Sequence, residues 1–166
     1  MAERVLVVDH LKLNYEGIFN VTELYQIVDT YLRDKGFDKK EVRNMEIIRP
    51  EGKYIEIELE PWKKITDYAK HVLKIRIRML HVKEIKVQRE NYTVKLNKGR
   101  VNITFDGFLE TDYEHRWEQK PFYFFLRTMF DKFVYPGYTR QWEGILKENV
   151  YQLHSTLKTF LNLYRY

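Results

Sequence analysis

The sequence predicts an α+β fold: a curved antiparallel sheet of about six strands packed on a long C-terminal helix, in the order β-α-β-β-β-β-β-α-α. Three observations predict it. Apolar and polar residues alternate with period two through most of residues 41 to 113, the repeat of a strand that buries one face. One segment of helical spacing precedes that region, and two follow it. No Pro/Gly/Ser-rich linker and no internal repeat divides the 166 residues, so the chain reads as one domain, 1–166.

The first strand is LKLNYEGIF, Leu11 to Phe19, where Leu11, Leu13 and Tyr15 alternate with Lys12, Asn14 and Glu16; it begins near Val5. Asp9 shares the parity of the inward residues, and a bulge or turn at Asp9-His10 would keep its carboxylate out of the core. In NVTELYQIVDTYLRDKG, Asn20 and Glu23 have capping-box spacing, Leu24, Ile27, Val28, Tyr31 and Leu32 form one stripe, and Gly36 stops the helix. EVRNMEIIRP is a strand ending at Pro50, and Glu51-Gly52-Lys53 turns it into YIEIELE. There Ile55, Ile57 and Leu59 point one way and Glu56, Glu58 and Glu60 the other.

A connection over Trp62 to Tyr68 leads into HVLKIRIRMLHVKEIKV, with Leu73, Ile75, Ile77 and Met79 opposed to Lys74, Arg76 and Arg78. The alternation slips at Leu80, His81 and Val82, the mark of a β-bulge. Glu90-Asn91 and Lys98-Gly99 read as turns. Asp106-Gly107 reads as a bulge in one long strand, because a tight hairpin there would set Glu110 opposite the inward Ile103. The sheet ends near Tyr113. Pro121 then opens a helix with Phe122, Phe125, Leu126, Met129, Phe130 and Phe133 on one side, and Phe124 widens that face. Tyr135-Pro136-Gly137 breaks it. The final helix, from about Thr139 to Leu163, presents Trp142, Leu146, Val150, Leu153, Leu157, Phe160, Leu161 and Tyr164; at a rise of 1.5 Å per residue it is roughly 35 Å long and spans a sheet.

Composition removes much chemistry. There is no cysteine, hence no disulfide, thiolate metal site, iron–sulfur cluster or cysteine nucleophile. The apolar run Val5 to Val8 is too short for a signal peptide or a membrane span, and the chain reads as cytoplasmic. Asn20-Val-Thr, Asn91-Tyr-Thr and Asn102-Ile-Thr serve as a cap, a turn and a strand surface. His10, His71, His81, His115 and His154 lie too far apart for a metal motif, and no Gly-rich phosphate loop or GxSxG elbow occurs. The sequence therefore names no catalytic residue and calls for no cofactor. Asp112, Glu114 and His115 read as a solvated connection. Charged residues at 32% are compatible with a heat-adapted source.

The net charge of +5, from 29 basic and 24 acidic residues, is a weak argument for a polyanionic partner. If residues 55–60 pair antiparallel with 74–79, Glu60 falls opposite Lys74, Glu58 opposite Arg76 and Glu56 opposite Arg78, and the basic stripe has a structural role. In residues 83–100, Lys83, Lys86, Arg89, Lys95, Lys98 and Arg100 meet only Glu84 and Glu90. Non-specific contact with nucleic acid there is the weakest functional reading, because interleaved surface aromatics are scarce.

The element order resembles the START/SRPBCC helix-grip superfamily, in which a curved sheet wraps a long C-terminal helix. Two departures stand out: only one helix follows the first strand, and the aromatic helix 121–134 precedes the last. The resemblance implies a cavity for a hydrophobic small molecule or lipid-like ligand, lined from the sheet by Leu13, Tyr15, Ile57, Leu59, Ile75, Ile77, Val94, Ile103 and Phe105. Trp142, Leu146, Leu153 and Leu157 would line it from the helix. The alternative reading is a non-catalytic interaction or scaffolding domain that meets another protein through Phe122, Phe124, Phe125 and Tyr135.

Overall fold

The structure is a computed structural model that describes residues 3–113 and 121–165, without the side chains of residues 123, 124, 127, 130, 131, 135 and 165. Its frame is three long strands, β1 (Glu3–Phe19), β5 (Ala69–Arg89) and β6 (Tyr92–Thr111). With β2 (Glu41–Arg49), β3 (Gly52–Leu59) and the short β4 (Trp62–Lys64) they form a curved, unclosed antiparallel sheet of six strands in the order β1-β6-β5-β3-β2, β4 pairing with β5. Helix α1 (Val21–Asp34) follows β1, and α2 (Pro121–Phe133) and α3 (Tyr135–Asn162) follow the sheet. A 3-10 turn over Leu163–Arg165 closes the described chain.

The strand count agrees with the expectation, but two of its parts differ. Lys98-Gly99 is no turn: β6 runs unbroken from Tyr92 to Thr111. The extra strand is β4, inside the segment expected to be a connection. Gly99 is needed for another reason. The bulge expected at Leu80–Val82 is present as a register shift between Leu80 and Lys83, with His81 at φ 55°. A Cβ on Gly99 would lie 2.8 Å from the Leu80 carbonyl oxygen, and one on Gly52, at φ +134°, would lie 2.7 Å from the His81 carbonyl carbon. The bulge thus presses on both neighbouring strands, and each yields by carrying glycine. A straight strand of 21 residues would reach about 70 Å, and the bulge bends β5 part-way along it.

β1 is bulged between Leu6 and Leu11, with His10 at φ 48°, so Asp9 is exposed and the inward parity resumes at Leu13. Asp106-Gly107 lies inside β6, as expected. Asn20 caps α1, its Oδ1 accepting from the Glu23 N–H at 3.2 Å. The break between the last two helices is Val134 alone: Pro136 sits in the first turn of α3, where its missing N–H has no partner to lose. α3 therefore begins at Tyr135, ahead of the expected Thr139.

α1 and α3 cover one face of the sheet. Leu24, Val28 and Leu32 from α1, and Leu146, Val150, Leu153, Leu157 and Leu161 from α3, join the inward side chains of β1, β3, β5 and β6 in one hydrophobic cluster. Pairing of β5 with β3 ends at Val82, and pairing of β6 with β1 ends at Asn97. Beyond those points β5 and β6 continue as a two-stranded ribbon, turned at Glu90-Asn91.

Candidate interaction surface

Eleven of the thirteen residues expected to line a cavity pack against one another as core. Leu13, Tyr15, Ile57, Leu59, Ile75 and Ile77, with Ile103, Phe105, Leu146, Leu153 and Leu157, are all at most 7% exposed and belong to the same cluster. Trp142 is half-buried, its backbone oxygen tied to β5. Val94 stands apart: it pairs with Val87 in the ribbon, half-buried and outside the cluster. The four hollows described on the surface, of about 330 to 590 Å³, are lined by other residues; two lie against Tyr31 where α1 meets α3. Tyr31 donates to the Asn149 carbonyl at 2.7 Å, and burial with the Glu148 charge pushes its hydroxyl up to about 12.

The densest group of exposed large apolar side chains lies on α2. Phe122 is 67% exposed, Phe125 61%, Leu126 40%, Met129 46% and Phe133 68%. Their spacing of 3, 4, 7 and 11 residues from Phe122 places them along one stripe of the helix. Val134 and Tyr138, at and beyond the helix junction, are exposed as well. Phe124 and Tyr135, the other two expected partner contacts, have side chains outside the described residues. The close contacts of α2 are with the adjoining α3, and none of comparable extent links it to the sheet among the described residues, so its stripe is presented to solvent instead of to the sheet.

The outer face of the sheet carries an ion network. The register is the expected one, Glu56 opposite Arg78 and Glu58 opposite Arg76; Arg78 meets Glu56 at 3.9 Å as expected, but the closest partners of the other groups differ. Arg76 donates to Asp106 at 2.7 Å, Lys74 meets Glu58 at 3.0 Å, and Glu60 pairs with Arg4 at 3.2 Å. Asp106 is a carboxylate on β6 with only 5% of its side chain exposed, and its second oxygen accepts from the His10 backbone N–H at 2.8 Å. Asp9, His10 and Asp106 bring three potential metal-ligand atoms within 4.8 Å of one another. Asp106 is already neutralised by the Arg76 guanidinium, however, and the arrangement fastens the β1 bulge to β6.

One buried histidine was visible in the sequence only as one of five scattered residues. His71, 1% exposed on β5, has its Nε2 at 2.9 Å from the Trp142 carbonyl on α3. Burial, opposed by that hydrogen bond and assisted by the Lys63 charge, lowers its pKa to about 4. The neutral ring donates through Nε2 and leaves Nδ1 without a hydrogen-bond partner among the described residues. Asp112 beyond β6 is also buried, at φ 52°, and is not part of a solvated connection; Glu114 and His115 lie outside the described residues. The inward parity of His71 with Leu73 and Ile75 was the available signal.

In comparison with known proteins, no family model, no curated protein and no solved structure matches this chain. No helix is long and apolar enough to cross a membrane among the described residues.

Proposed function

We propose that this chain is a non-catalytic interaction domain that seats α2 in an apolar groove of another protein. The observation that carries it is the exposed stripe Phe122, Phe125, Leu126, Met129 and Phe133. Spacing of this kind is how an amphipathic helix anchors in a partner's groove. Burying one such side chain is worth about 1.5–3 kcal/mol, so a few anchors are enough for a specific complex. The apolar-ligand reading is the less supported of the two, because the residues it would use touch one another.

A photo-crosslinking residue at position 125, in cells of the source organism, tests the proposal. The expected result is one discrete protein adduct that disappears when Phe122→Asp and Phe133→Asp are added, with thermal unfolding unchanged because both sites are exposed. An adduct that survives the double substitution overturns the assignment, as does crosslinking to lipid alone. Crosslinking of the chain to itself, with a dimer lost on the same substitutions, overturns the heterologous partner.

A further inference from the structure

The ribbon beyond the His81 bulge has charges arranged against its own stability. Lys83 stands opposite Lys98 at its base, where β1 still flanks β6, and Lys86 stands opposite Lys95 within it. Like charges directly opposite destabilise an antiparallel pair, whereas in the body of the sheet the same positions hold Glu56 against Arg78 and Glu58 against Arg76. Residues 83–98 carry five cations (Lys83, Lys86, Arg89, Lys95, Lys98) and two anions (Glu84, Glu90), which is +3 of the chain's net +5. Only Lys95 has a carboxylate within reach among the described residues, Glu84 at 3.4 Å. All five cations are exposed.

We propose that this ribbon binds duplex DNA, lying in the major groove with its lysines on the phosphates of both walls. Two strands about 4.8 Å apart, with their side chains, match a groove about 12 Å wide, which admits a two-stranded ribbon. Strand alternation places Lys83 and Lys98 on one face and Lys86 and Lys95 on the other. Both faces carry cations, with Arg89 beyond the apolar pairs Ile85–Leu96 and Val87–Val94 on the face of Lys83, which suits phosphates on two walls and not a flat anionic bilayer. On the face of Lys86 and Lys95, Gln88 stands opposite Thr93, both exposed and able to hydrogen-bond base edges. The deep, narrow major groove of duplex RNA excludes such a ribbon. Facing lysines that weaken the free ribbon are relieved when phosphates come between them.

Fluorescence anisotropy with the full chain and a mixed-sequence DNA duplex of about 20 base pairs tests the assignment. Four to five phosphate contacts predict an affinity loss of roughly 100-fold or more between 50 and 200 mM salt. Lys86→Glu is expected to weaken binding and to lower the salt slope by about 1. It should also raise the unfolding temperature, since Lys95 then faces a carboxylate; a residue that served only the fold would move both readouts the same way. Lys83→Glu, opposite Lys98, should repeat the pattern. Absence of binding at 50 mM salt overturns the proposal, as does affinity unchanged by both substitutions. Tighter binding to single-stranded DNA or duplex RNA overturns the groove assignment, and phosphatidylserine vesicles that compete fully with the duplex would place the site on a bilayer instead.

Discussion

His71 holds a neutral imidazole between β5 and the Trp142 carbonyl of α3, and that neutrality makes stability depend on pH. The unfolded chain protonates this ring near 6.5 and the folded chain only near 4. As pH falls, protons bind first to the unfolded chain, so stability drops from about pH 6.5 and levels off below about pH 4, by about 3 kcal/mol in all. Urea unfolding at pH 7, 5.5 and 4 should show that loss, and His71→Gln, which keeps an N–H donor, should remove most of it; an equally steep slope in the variant would assign the effect to other groups. Asp106 is the other residue whose meaning changed on folding. In the sequence it belonged to an Asp-Gly turn signal, and its role as the buried carboxylate joining Arg76 to the His10 N–H depends on a bulge in a strand some hundred residues away. A pairing of that separation leaves no mark on local sequence.

The elements were legible where one periodicity governed them. The stripe and cap of α1, the opposed glutamates and isoleucines of β3, and the slip in β5 are local facts, and the structure has each in its expected place. Two of the failures share a cause: Gly99 and Pro136 carry two physical meanings, and the sequence shows the residue without its neighbour. Gly99 reads as a turn but answers the Leu80 carbonyl; Pro136 reads as a stop but opens α3. Gly99→Ala should therefore destabilise the protein by about 1–3 kcal/mol in denaturant unfolding, through overpacking against backbone. Gly144→Ala, where nothing lies within 4 Å of an added Cβ, should leave stability unchanged or raise it. Equal effects at the two sites would show that the bulge relaxes to admit a methyl group. Of the two candidate surfaces, α2 was visible from its excess of phenylalanines, whereas the facing lysines of the ribbon needed the register.

Across the whole molecule stability is unevenly shared. The inward residues of β1, β3, β5 and β6 are covered by α1 and α3, while among the described residues the ribbon from Lys83 to Leu96 has no third strand beside it and α2 has its close contacts with the adjoining α3. Hydrogen exchange should divide β5 accordingly: amides at 73–79 should exchange only through global unfolding, and those at 84–89 through local opening at much lower free energy. Uniform protection along β5 would mean that the ribbon is held by contacts beyond its own strands. The boundary between the two regimes is the bulge at His81, braced by Gly52 and Gly99. Those three sites lie on three different strands, yet they form one packed unit. At Gly99 a side chain fits without strain only if the β5 backbone at the bulge moves away, and at Gly52 the backbone at φ +134° strains a side chain besides. Shedding the extra residue of β5 would in turn rotate every side chain of the ribbon to its opposite face, so the two glycines, the bulge and the way the ribbon faces are tied to one another.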